Sequence, residues 1–177
     1  GCYTRPRVAF RHLAIDGPIG SGKTRLAERL AAKLEGTAVL ERAENPFLAD
    51  FYNDRPGAAL QAQLFFLLNR HRQLSSLRQV DLFQQTTVVD YVFDKDKIFA
   101  FLSLDDNELF IYQRLFDLLA KDVPPPDLVV YLQAKVETLV ERVRRRGNPM
   151  EAGISDDYLR AISDTYTRYF YNYGDSA

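Results

Sequence analysis

The sequence predicts an open parallel α/β sheet covered by helices on both faces, and three observations carry that prediction. Short apolar runs alternate with longer stretches of helical spacing, a glycine-rich loop joins the first run to the first stretch, and Glu41 and Asp90 stand where later runs end. Alternation of this kind is the signature of βα units, and ligands of such sheets bind beyond the carboxyl ends of the strands.

Each element can be justified in turn. His12 to Asp16 is a short apolar strand running into Gly17-Pro18-Ile19-Gly20-Ser21-Gly22-Lys23-Thr24, after which Leu26, Ala27, Leu30, Ala31 and Leu34 recur at helical spacing and Gly36 is the expected cap. A second strand covers Thr37 to Leu40. Asn45-Pro46 opens a short helix, and Asp54-Arg55-Pro56-Gly57 breaks it. Leu60, Leu64, Leu67, Leu68, Leu74 and Leu77 predict a long helix from Ala58 to about Gln79, with Gln63 and Arg70 on its polar side. Thr86 to Val89 is a β-branched third strand. Helices over Lys95–Leu102 and Asp105–Ala120 follow, and the prolines at 124–126 lead into a fourth strand, Asp127 to Leu132. Helices over Lys135–Arg146 and Ser155–Tyr171 complete the chain.

A chain of 177 residues with 46% hydrophobic side chains suits one domain with a substantial core. The net charge of -1 gives no electrostatic case for a nucleic-acid partner. No apolar run approaches the ~20 residues of a membrane-spanning helix. The single cysteine, Cys2, makes no internal disulfide, so a reducing, cytoplasmic setting is expected. Residues 1–7 read as a disordered leader and 8–177 as the domain.

Gly17-x-x-x-x-Gly22-Lys23-Thr24 is the phosphate-binding P-loop pattern in its strand-loop-helix setting. Its glycines let the backbone wrap around phosphates with N–H groups and the helix N-terminus facing negative charge. Lys23 suits the β- and γ-phosphates, and the Thr24 hydroxyl suits Mg²⁺, so ATP and Mg²⁺ are the expected cofactors. The guanine-reading and Asp-x-x-Gly segments of a GTPase are absent, and Val88-Val89-Asp90-Tyr91 only partly matches a motor ATPase.

Glu41, at the end of the second strand, is placed to take a proton from a hydroxyl presented to the γ-phosphate; read alone, it is equally a solvated strand-end residue. Gln63 and Arg70 are two helical turns apart on one face, roughly 10 Å along the axis. A carboxamide and a guanidinium so placed suit the edge of a nucleobase, although a polar helix face in water is the commoner case. Arg142 and Arg146 share a face at the end of the sixth helix, where guanidinium groups can stabilise a phosphoryl group in transit.

Together, the P-loop, Glu41 with Asn45-Pro-Phe-Leu-Ala-Asp-Phe-Tyr-Asn-Asp54, Gln63 through Arg70, Asp90-Tyr91 with Lys95-Asp-Lys-Ile-Phe-Ala100, and Arg142 through Leu159 resemble the deoxynucleoside kinase family, especially its bacterial deoxyadenosine/deoxyguanosine kinase branch. The resemblance covers nearly all of the chain from Val8. It implies the P-loop NTPase-type strand order 2-3-1-4-5, ATP-dependent phosphorylation of a deoxynucleoside 5′-hydroxyl with purine preferred, an arginine-bearing lid, and a homodimer, for which the long helix from Ala58 is the candidate interface. It also implies roles: Glu41 as general base, Tyr52 and Glu151 on the 3′-hydroxyl, Gln63 on the base, Phe99 packed against it, and Arg70 and Asp96 as polar contacts to its edge. Asp90 would assist Mg²⁺ beside Thr24.

The chain departs from that pattern in three places. Asp90-Tyr91 lacks the arginine normally close to the 5′-hydroxyl, Asn148 stands where a further lid arginine is expected, and only four strands are recognisable where the family fold has five, so a C-terminal truncation is expected. A thymidylate-like monophosphate kinase and a non-catalytic nucleotide switch are the alternatives. The first lacks its acceptor-phosphate arginine at Tyr91, and the second leaves Tyr52, Gln63 and Glu151 without a purpose.

Overall fold

The computed structural model describes residues 10–42, 44–77 and 86–173. The elements are β1 (His12–Asp16), α1 (Lys23–Lys33), β2 (Thr37–Val39), α2 (Leu48–Tyr52), α3 (Ala58–Ser75), β3 (Thr87–Val89), α4 (Lys95–Ser103), α5 (Asp106–Ala120), β4 (Leu128–Tyr131), α6 (Val136–Arg146), a 3₁₀ turn (Pro149–Glu151) and α7 (Asp156–Tyr171). All of the expected elements form, most within a residue or two of their expected bounds. Gln79, the expected end of α3, and the leader lie outside the described residues.

The sheet is parallel, in the order β2-β3-β1-β4. That reproduces the first four places of the expected order, with β4 at one edge of the described sheet. Successive strand residues face opposite sides, and β3 shows the consequence. Val88 packs with Leu13, Ile15, Ala27 and Ala31 against α1, whereas Val89 packs with Leu67, Leu74, Tyr112 and Phe116 of α3 and α5. Two buried faces explain why the strands read as unbroken apolar runs rather than alternating ones.

The end of α1 differs from expectation. The left-handed residue is Glu35 (φ 54), with its N–H donating to Ala32 and that of Gly36 to Ala31, a Schellman closure displaced by one residue. Gly36 is required for another reason: a Cβ there would lie 2.2 Å from the Thr86 carbonyl oxygen, on the backbone that accepts from Thr37 N. Asn45 is not the cap of α2, which is Phe47, but sits two residues before it. Its Oδ1 accepts from Phe47 N and its Nδ2 donates to Ala62 O, tying the start of α2 to α3.

Asp16 fixes the carboxyl end of β1. It is fully buried; Oδ1 accepts from Gly17 N and the Tyr166 hydroxyl, and Oδ2 from Val92 N. One side chain thus joins the glycine loop, the β3–α4 connection and α7.

Candidate active site

Strand order alone brings the key groups together. Because β3 lies between β2 and β1, Asp90 at the end of β3 stands between Glu41, which follows β2, and the loop that follows β1. Its carboxylate spans them: Oδ2 accepts from Thr24 Oγ1 at 2.7 Å and Oδ1 from Glu41 N at 2.6 Å.

The loop has the form of a phosphate cradle. Ser21 N donates to Pro18 O, and Gly22 sits at φ +94 as the N-cap of α1 with no atom near a Cβ position, so the backbone angle alone demands glycine there. Lys23 Nζ donates to Gly17 O at 2.9 Å. Burial first, and then the nearby Lys95, push its ammonium down to about 8. Ser21 Oγ is buried without a partner, as expected of a group awaiting a ligand oxygen. Thr24 and Asp90 also fit magnesium, which takes one or two protein groups and fills its other positions with phosphate oxygens and water. Among the described residues no cluster of three or more metal-ligating side chains exists.

Facing the loop is a cleft of about 400 Å³. Glu41 stands in it, held on both sides: Arg70 donates to Oε1, and Lys95 Nζ to Oε2 at 2.6 Å. Burial favours the neutral acid, but Arg70, Lys95 and Lys23 together outweigh it and hold the carboxyl well below the usual range. Arg70 also pairs with the fully buried Asp96 and lies 4.8 Å over the Phe66 ring. Gln63 is buried with Oε1 unpartnered. Gln63, Phe66 and Arg70 are spaced three and four residues apart, which puts them on one face of α3, and all three line the cleft.

The other wall comes from α2 and the lid after α6. Glu151 takes Arg146 with both oxygens, at 2.6 and 2.8 Å from one guanidinium nitrogen, and both residues line the cleft with Tyr52. Burial raises the Tyr52 hydroxyl, aided by Tyr158 and Glu151, so it stays a neutral donor. Arg142 donates to Gly20 O at 3.2 Å, over the loop. Arg144 binds Asp156 and Arg145 binds Glu141, so two arginines of the run are spent on the surface.

A family model described as deoxynucleoside kinase matches residues 13–176. The chain belongs to the deoxynucleoside kinase family. Deoxyguanosine kinase of Bacillus subtilis (strain 168) is 36% identical over 156 residues, which are 87% of this chain and 75% of that protein. Deoxyadenosine/deoxycytidine kinase of the same organism is 26% identical over 167 residues, 89% of this chain and 74% of its own. Among solved structures, deoxyadenosine kinase from M. mycoides with bound dATP superposes with a TM-score of 0.79 at 21% identity, covering 93% of this chain and 86% of that one.

Of the residues expected at a kinase site of this family, Ile19, Gly20, Lys23, Thr24, Glu41, Tyr52, Gln63, Arg70, Phe99, Arg146 and Glu151 all line the one cleft. Asp96 does not line it and reaches it only through Arg70. Asp90 and Arg142 border it through Thr24 and Gly20. Sequence reasoning missed Lys95, Phe66, Phe51 and Tyr158, which also line it. Phe66 carried a signal, its position between Gln63 and Arg70 on one helix face. Lys95 carried a weaker one, as the first cation after a strand end that lacks an arginine. Phe51 and Tyr158 carried none beyond an aromatic at a helical position.

Proposed function

We propose that this chain transfers the terminal phosphoryl group of ATP, with Mg²⁺, to the 5′-hydroxyl of a deoxynucleoside, with purine preferred. One observation carries the reading: Glu41 and the phosphate loop face each other across a single cleft, coupled through Asp90, with the unpartnered Gln63 Oε1 in the same cleft. A buried acceptor without a partner is costly, and a base N–H relieves it.

In this mechanism the backbone N–H groups of Pro18–Gly22, proline excepted, and Lys23 hold the phosphates, and Thr24 and Asp90 would hold Mg²⁺. The metal, when bound, neutralises phosphate charge and orients the phosphate oxygens. Gln63 and Arg70 meet the base edge, Phe66 and Phe99 its faces, and Tyr52 and Glu151 the 3′-hydroxyl. The 5′-oxygen forms its bond to the γ-phosphorus as the bond to the bridging oxygen breaks, the electron pair leaves on ADP, and the hydroxyl proton passes to Glu41. A carboxylate held so acidic is a weak base, yet a loose transition state asks mainly for a fixed hydrogen bond and a late proton acceptor. Arg142 and Arg146 complete the clamp.

The purine preference is supported by the name of the B. subtilis deoxyguanosine kinase. A cytoplasmic setting is supported by the single cysteine; no helix among the described residues is long and apolar enough to cross a membrane. A homodimer is supported by Phe101 on α4 and Phe110, Ile111 and Leu118 on α5, all more than half exposed. These point to α4 and α5 rather than to α3, where Leu68 is the exposed large apolar residue. ADP release measured with four deoxynucleosides, their ribose counterparts and the monophosphates tests the proposal. Release driven by a deoxynucleoside supports it; release driven only by a monophosphate, or by no acceptor at all, overturns it.

A further inference from the structure

Lys95 has no role in the mechanism so far. Lysine is seldom buried without a purpose, yet Lys95 is 4% exposed at the start of α4, with Nζ 2.6 Å from Glu41 Oε2 and 5.8 Å from the Phe99 ring centroid. It lines the cleft, and it lies close enough to Lys23 to repel that ammonium. A buried cation and a half-buried one, Lys95 and Lys23, opening onto one cleft mark a place where an anion comes between them.

The donor count agrees. An ammonium has three N–H groups. One goes to Glu41, and no second acceptor for it is found among the described residues, so two remain for ligand oxygens. The end of β3 supplies no competing cation, because Tyr91 there is fully buried and turns its hydroxyl to Gln73 Oε1 at 2.5 Å. The resting cluster of Glu41 and Asp96 with Arg70 and Lys95 is neutral. Charge arriving on a phosphoryl group finds both terminal nitrogens of Arg70 committed to carboxylates and its unpartnered Nε–H shut away from solvent, whereas the Lys95 ammonium, with two N–H groups to spare, lines the cleft.

We propose that Lys95 is a catalytic cation of the phosphoryl transfer, meeting the phosphoryl oxygens on the acceptor side while Lys23 holds them from the loop side. This rests on the reading of the cleft as the site of transfer to a nucleoside hydroxyl. Charge in such a transfer is spread over the equatorial oxygens as the new bond to the 5′-oxygen forms and the bond to the bridging oxygen of ADP breaks. Glu41 alone would repel those oxygens. Lys95, bonded to Oε2 of the same carboxylate, sets a positive charge beside it and fixes the carboxylate for the incoming hydroxyl.

The test compares Lys95→Met and Lys95→Arg with the unaltered chain in acceptor-dependent ADP release, donor binding by calorimetry, and urea unfolding. Lys95→Met is expected to lower kcat about 100-fold or more, with the deoxynucleoside KM and donor Kd changed less than about fivefold and the urea midpoint lowered, though by less than in Arg70→Met, because Glu41 keeps Arg70 as a partner. Lys95→Arg is expected to recover at least about tenfold of that loss. A kcat for Lys95→Met within about threefold of the unaltered chain overturns the proposal, as does a loss that Lys95→Arg does not relieve. A plain counter-ion role would show instead as unfolding with kcat per folded molecule unchanged. Should Lys95→Met not fold, Lys95→Gln serves in the same comparison. If the unaltered chain phosphorylates no deoxynucleoside, the functional reading falls and takes the lysine role with it; if it is active and Lys95→Met is indifferent, only the lysine role falls.

Discussion

The floor of the cleft and its lid are both made of arginine paired with carboxylate, and they differ in burial. On the floor the Arg70 side chain is 6% exposed and its partners Glu41 and Asp96 are 20% and 0%. On the lid Arg146 and Arg144 are each 50% exposed, with their partners Glu151 and Asp156 at 17% and 63%, so the difference lies mainly in the arginines. The same chemistry therefore serves opposite ends. A buried pair cannot lose one member without stranding the other, so its geometry is fixed. An exposed pair contributes about 0–1 kcal/mol and exchanges readily for another anion. In the proposed reaction the floor would set where the hydroxyl and base lie, and the lid would trade Glu151 for a phosphate at little cost.

That contrast can be broken or sharpened by substitution. The largest expected effect is Glu41→Gln, which should lower kcat by about 10²–10⁴ while calorimetry shows donor binding retained; near-normal turnover would remove Glu41 from its role. Arg70→Met should destabilise the fold by about 3–5 kcal/mol, because it leaves Glu41 and Asp96 short of a cation. The urea midpoint reads this, and a shift no larger than that of a lid variant would erase the distinction between floor and lid. Gln63→Leu should weaken deoxynucleoside binding by about 1–3 kcal/mol and leave stability equal or better, since the group removed is unpartnered in the free protein. Acid tests the floor further. Glu41 titrates below its ordinary 4.5 when folded, so its contribution to stability is present above that value and fades as pH falls below it; kcat should show no acid limb from this group between pH 7 and pH 5. The smallest effect is expected at Arg144→Ala, a shift in unfolding free energy of about 1 kcal/mol or less.

How much of this could be read beforehand varied with the kind of pattern. The P-loop was legible because eight consecutive residues carry it, and β3 because a β-branched run has few other uses. Helix α3 was legible from its leucines, and its polar face from Gln63 and Arg70. What those polar residues touch was not. Arg70 was read as a contact to the base, and it is first the shared partner of two carboxylates, one 29 residues before it and one 26 after. Gly36 was read as a cap, and it is a contact point with Thr86 on another strand. Lys95 is next to Asp96 in the chain, yet Lys95 opens on the cleft and Asp96 lies wholly behind it.

The sequence by itself determined the alternation of elements, the phosphate loop and the placing of Glu41 and Asp90 at strand ends, since these depend on local periodicity and on glycine geometry over a few residues. Only the tertiary structure decided that Asp90 bridges Thr24 to Glu41, that Arg70 and Lys95 grip the same carboxylate, and that Gln63 Oε1 is left wanting a donor. Those facts depend on which strand lies between which and on how deeply a charge is buried, and neither is encoded in the spacing of residues along the chain.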